Sequence, residues 1–110
     1  MKLPDSIFQT VDWTGIPPTR HPGESGSALW RTVSLGDIRI RLVEYSAGYV
    51  ADHWCEKGHI LFVLEGDLVT ELRDGRKFIL GPGMSYHVSD NGDSAHRSVS
   101  ENGARLFIVD

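Results

Sequence analysis

The sequence predicts an all-β fold, an antiparallel sandwich or small barrel, and three observations carry that prediction. Short apolar runs are separated by Gly-Asp, Asp-Gly and Asn-Gly turns, and no segment after residue 28 sustains a helical apolar period beyond two turns. Gly and Pro, 12 and 5 of 110 residues, make up about 15% of the chain. Turn dipeptides between apolar runs signal tight reversals, because such turns need positive φ and Gly adopts it without steric cost. A chain of this length supports one core.

The elements follow in order. Residues 1–27 contain Ile16-Pro17-Pro18, His21-Pro22-Gly23 and Gly26 and have little periodicity. They read as an extended arm packing on the barrel, with one short helical turn near Ser6–Gln9. Residues 28–110 read as the barrel. Trp30–Leu35, Gly36-Asp37 and Ile38–Tyr45 give strand, turn, strand; Ile60–Glu65, Gly66-Asp67 and Leu68–Leu72 repeat the pattern. Asp74-Gly75 leads into Arg76–Leu80, and Asn102-Gly103 separates His96–Ser100 from Ala104–Val109. Ile60–Leu64 is apolar at every position, so both its faces need cover. One face meets the barrel interior; the other requires a second sheet, the arm or a partner subunit. A homodimer is therefore expected.

Composition narrows the function. Hydrophobic residues at 40% and charged residues at 24% are ordinary for a globular chain, and the net charge is −4. A mildly acidic chain with no basic cluster argues against a protein that tracks nucleic-acid phosphates. The longest apolar run, Ile60–Leu64, falls far short of the roughly 20 residues of a membrane span. Met1-Lys2-Leu3-Pro4-Asp5 lacks the apolar stretch of a secretion signal, and the single Cys55 excludes an internal disulfide. Both favour a cytoplasmic location.

The chemistry-bearing residues cluster. Four of the five histidines and the only cysteine lie between residues 53 and 96, most densely in Asp52-His53-Trp54-Cys55-Glu56-Lys57-Gly58-His59. On a strand, residues i and i+2 share a face about 6.6 Å apart. His53 and Cys55 would then point together, and a reversal at Lys57-Gly58 would let His59 face the same point. His96 offers a fourth donor. Imidazole and thiolate can converge on one metal ion. The plainer reading of any single histidine on a half-buried strand is a hydrogen-bonded structural residue, and it suits His21 and His87 best.

These residues resemble a known family. Gly48, His53-x-Cys55, three residues, His59, six residues and Gly66 resemble the first motif of the cupins, with Cys55 in place of the second histidine and His59 in place of the glutamate. The second motif is looser: Gly83 opens it, Asp90-Asn91-Gly92 replaces its Pro-x-Gly turn, and His96 matches its single histidine. The string Ala51-Asp52-His53-Trp54-Cys55 resembles small, uncharacterised bacterial cupins with an Asp-His-Cys-Trp-type motif. The resemblance spans residues 28–110. It implies an antiparallel cupin-type β-barrel, or jelly roll, with one divalent metal inside, held by His53, Cys55, His59 and His96. The softer donor set favours zinc or iron over manganese or nickel.

Other residues are weighed against plain alternatives. Tyr45 and Tyr86 are candidate catalytic groups that could reach the pocket by alternation; such residues more often satisfy sheet edges. Ser98 is a similar case. Arg39 and Arg41 alternate with Ile38, Ile40 and Leu42, and form either a solvated face or a cationic wall for a carboxylate. Three functions follow. The first is a metal-dependent enzyme of dioxygenase, isomerase or lyase type acting on a small oxygen-bearing molecule. The second is a non-catalytic module that binds a small ligand or senses metal or redox state. The third is a dimerising barrel with ordinary buried histidines.

Overall fold

The computed structural model describes residues 3–110, so Met1 and Lys2 of the expected arm lie outside the described residues. Among the described residues, ten strands form two antiparallel sheets. They are β1 Thr19–Pro22, β2 Ser27–Leu35, β3 Ile38–Tyr45, β4 Tyr49–Val50, β5 His59–Gly66, β6 Leu68–Leu72, β7 Lys77–Leu80, β8 Ser85–Val88, β9 His96–Ser100 and β10 Ala104–Val109. One sheet has the order β1-β2-β3-β10-β5-β8, the other β4-β9-β6-β7. Among the described residues, no helix is long and apolar enough to cross a membrane.

Alternation along the strands places the core between the sheets. Leu61 and Val63 of β5 are buried, as are Ala104, Leu106 and Ile108 of β10, and they pack with Val43, Leu68 and Leu80. Burying apolar side chains of this size stabilises the fold by about 1.5–3 kcal/mol each.

Two of the four turn dipeptides make hairpins. Gly36-Asp37 joins β2 to β3 with Leu35 opposite Ile38, and only Gly36 has positive φ (58°), the pattern of a type II′ turn. Asp74-Gly75 joins β6 to β7. The other two are corners that carry the chain between sheets, contrary to the hairpins expected at Gly66-Asp67 and Asn102-Gly103. The corners are bolted together. The Asp67 amide donates to the Gly103 carbonyl, and the buried Ser100 hydroxyl donates to the Asp67 carbonyl while accepting from the Gly103 amide. A Cβ at Gly66 (φ +83°) would collide with the Gly103 carbonyl oxygen.

The arm differs from expectation at two points, the first being that Thr19–Pro22 is strand β1, paired with β2 at the edge of the six-stranded sheet. The helical turn is a 3-10 turn at Trp13–Gly15, not Ser6–Gln9, because Asp12 caps it by accepting from the Thr14 amide and hydroxyl. Trp13 then meets Phe107 edge to face at 6.2 Å, and Arg31 donates to the Ile16 carbonyl. Residues 12–16 thus cover part of the outer face of the six-stranded sheet. Ile60, Phe62 and Leu64 remain 49%, 40% and 39% exposed on that face. The all-apolar strand is therefore covered on only one side by its own chain.

Candidate functional site

Three side chains from three strands meet inside the barrel. His59 opens β5 on its inward face, in phase with Leu61 and Val63. Tyr86 lies on β8 opposite Leu61, which makes His59 and Tyr86 diagonal neighbours. Their Nε2 and hydroxyl oxygen are 2.6 Å apart. His96 opens β9, and its ring lies 4.7 Å from that of His59, nearly perpendicular to it. His96 is 5% exposed, and its Nε2 is buried with no hydrogen-bond partner among the described residues.

Burial sets the protonation. It pushes the pKa of His59 down to about 4, with the neighbouring His96 adding to the effect, and it lowers His96 as well. Tyr86 is raised, again chiefly by burial. At neutral pH the cluster therefore holds two uncharged imidazoles and a protonated phenol. Such a set can donate and accept hydrogen bonds, or offer neutral nitrogen to a cation.

His96 borders two cavities. One, of about 290 Å³, is lined by His59, Tyr45, Trp30, Arg41, Cys55 and Asp110 among others. The other, of about 380 Å³, lies between the edge strands β7 and β8, and its walls include Phe78, Ile79, Met84 and Tyr86.

The expected four-donor set is only partly brought together. Residues 51–58 are a loop instead of a strand, so the i, i+2 rule does not apply to His53 and Cys55. The reversal expected at Lys57-Gly58 makes no hairpin, because Cys55 pairs with His96 instead: each amide donates to the other's carbonyl, at 2.8 and 2.9 Å. His53 lines the rim of the same cavity as Cys55, His59 and His96, with its side chain 76% exposed and Nδ1 2.6 Å from Asp52 Oδ1. Cys55 is half-buried on the cavity wall. Among the described residues, no three His, Cys, Asp or Glu side chains converge on one point. His59 and His96 lie side by side, and the full set of four donors is not brought to one point.

Tyr45 lies apart from the cluster, stacked on Tyr49 at 4.1 Å, and burial raises its pKa. It shares the 290 Å³ cavity with His59, whereas Tyr86 lines the other. His87 is exposed, and His21 stacks on Trp30 with ring centres 3.6 Å apart.

One group went unread in the sequence. Asp110 continues the alternation of Leu106 and Ile108 and lies on the inner face, 7% exposed. Arg39 grips its carboxylate with two bonds, at 3.0 and 2.9 Å, and Arg41 adds a third at 2.9 Å. Burial alone would raise the Asp110 pKa, but the Arg39 bonds and the charges of Arg41 and Arg39 outweigh it and hold it below the usual carboxylate range. The period-2 pattern from Leu106 onward carries this signal.

No protein-family model matches the sequence, and no curated protein is significantly similar to it. Solved structures are similar in fold. A cupin-2 domain protein from Shewanella frigidimarina is 20% identical, with TM-score 0.59 over 74% of this chain and 78% of that one. Ectoine synthase from P. lautus is 16% identical, with TM-score 0.73 over 93% of this chain and 76% of that one. Fe(II)-HppE, solved with an alternative substrate, is 15% identical, with TM-score 0.75 over 99% of this chain and 62% of that one. Two antiparallel sheets in this order, matched by these structures, give the chain the jelly-roll fold of the cupins.

Proposed function

We propose that this chain is a small-molecule-binding cupin whose ligand is received at His59 and His96, with Tyr86 carrying a proton beside them. The observation that supports this reading is the His96 Nε2. A buried polar nitrogen without a partner costs about 1–3 kcal/mol, and a ligand that bonds to it recovers that cost. Ligand-observed NMR with a fragment library tests the reading on wild type and His96→Ala. Fragments that bind wild type and are lost in the variant are expected; hits that are indifferent to His96 count against it.

A second reading makes the site a metal centre, and two adjacent neutral imidazoles favour it. A divalent ion, zinc or iron before manganese or nickel, would be held by His59 and His96. Cys55 and His53 line the same cavity from the loop. Such an ion supplies Lewis-acid or oxygen-activating chemistry when bound, and the iron(II) of HppE is consistent with this. On this reading the chain is a metal-dependent enzyme of dioxygenase, isomerase or lyase type. Stoichiometric metal in wild type that falls in both His59→Ala and His96→Ala would support it. Equal metal content in all three would end it.

The exposed row Ile60, Phe62 and Leu64 supports self-association as a homodimer through the outer face of the six-stranded sheet.

A further inference from the structure

We infer that the ligand of the 290 Å³ cavity is a small carboxylate, seated on Arg41. The inference rests on the cavity being a ligand site and adds the chemical class of what enters it. Arg41 projects inward from β3 and its side chain is 8% exposed. A buried guanidinium offers five N–H donors, and the described residues employ it sparingly. One NH2 group bonds Asp110, whereas Nε is buried with no partner. The plane lies over the Trp30 ring at 4.4 Å, which orients the fork without consuming its donors.

The neighbouring ion pairs leave that fork in place. Asp110 is gripped by both Arg39 and Arg41. Arg97, also on the wall, lies near Glu24 and Glu71, at 3.4 and 3.5 Å. Arg41 therefore faces a cavity walled by aromatic rings as a buried guanidinium whose Nε has no partner among the described residues. Carboxylate matches the fork of Arg geometrically, accepting from two N–H groups side by side. The volume is at the low end for ligand pockets, which suits a small metabolite.

The simpler role for Arg41 is a strut that holds Asp110, and a strut has no preference among ligands. The two roles are separated by matched probes on the full chain. Benzoate and succinate are titrated against benzamide and succinamide, following the Arg41 Nε–H signal and the backbone amides by NMR. Carboxylates are expected to move the Arg41 Nε–H signal and to bind at least about tenfold more tightly than their amides. Arg41→Lys, which retains a charge for Asp110 but removes the fork, is expected to lose that preference. Equal binding of acid and amide overturns the inference, as does binding of neither acid at about 10 mM, or inorganic phosphate matching both. The wild-type comparison stands whether or not the variant folds. If His96-dependent fragments are found but none prefers the acid form, the ligand site survives and only the carboxylate assignment fails.

Discussion

The Tyr86 hydroxyl and Nε2 of His59 lie 2.6 Å apart on the inner faces of adjacent strands. Burial keeps the phenol protonated and the imidazole neutral, so the two groups share one uncharged hydrogen bond whose direction follows the His59 tautomer. Tyr86→Phe removes the hydroxyl and leaves a buried nitrogen without its partner. A loss of about 1–2 kcal/mol in urea unfolding is expected. An unchanged midpoint with an unchanged slope would argue against the bond.

The same burial makes stability depend on pH. The folded pKa of His59, about 4, lies below its unfolded value of 6.5, so the unfolded chain binds the extra proton first. Stability is complete above about pH 6.5 and falls as the pH drops toward 4. At about 1.4 kcal/mol per pKa unit the loss reaches at most ~3 kcal/mol. Chelator-treated protein followed by urea unfolding at several pH values measures it; His59→Gln should flatten the slope in this window.

Asp110 binds two arginines at the barrel interior. Asp110→Asn keeps the shape and removes the charge, leaving Arg41, almost fully buried, uncompensated. Breaking a buried pair from one side costs about 3–5 kcal/mol. Thermal unfolding of the variant checks this, and Arg41→Met combined with Asp110→Asn should recover part of the loss.

Gly66 turns the chain from one sheet to the other at positive φ, against the Gly103 carbonyl. Gly66→Ala adds a methyl group where backbone already lies, in a conformation that alanine adopts poorly. A destabilisation of about 2–4 kcal/mol is expected. Gly75→Ala, at a hairpin with free space around it, should cost less, and equal losses would contradict the packing argument.

The face of Ile60, Phe62 and Leu64 should hold two copies together. Sedimentation of wild type at micromolar concentration should give twice the chain mass, and Phe62→Glu should return it to the monomer. A wild-type monomer removes the proposed dimer.

The strands were legible because their two forces are local. Alternation reported burial, and Gly-Asp, Asp-Gly and Asn-Gly reported reversals; β3, β6, β9 and β10 match the expected spans. Partner choice was not legible. Gly66-Asp67 reads like Gly36-Asp37 along the chain, yet it joins different sheets, because its carbonyl and amide are satisfied by Ser100 and Gly103, more than thirty residues away. The short strands β1, β4 and β8 escaped notice for a related reason: their pairing is carried by neighbours and not by an apolar period of their own. For the site, His59 and His96 emerged together as expected, since each opens a strand whose alternation points it inward. His53 did not, because its segment lacks the ladder on which a two-residue period depends. Asp110 lies on the alternation of β10, but its partners Arg39 and Arg41 are 71 and 69 residues away along the chain.

His96 does two jobs with different parts of itself. Its amide and carbonyl fasten Cys55, and with it the 51–58 loop, while its imidazole borders both cavities. Because the fastening is entirely main-chain, any side chain compatible with the strand preserves it. Position 96 can therefore be rewritten chemically without releasing the loop, so the interior of this barrel can exchange one ligand preference for another while its doorway keeps its shape.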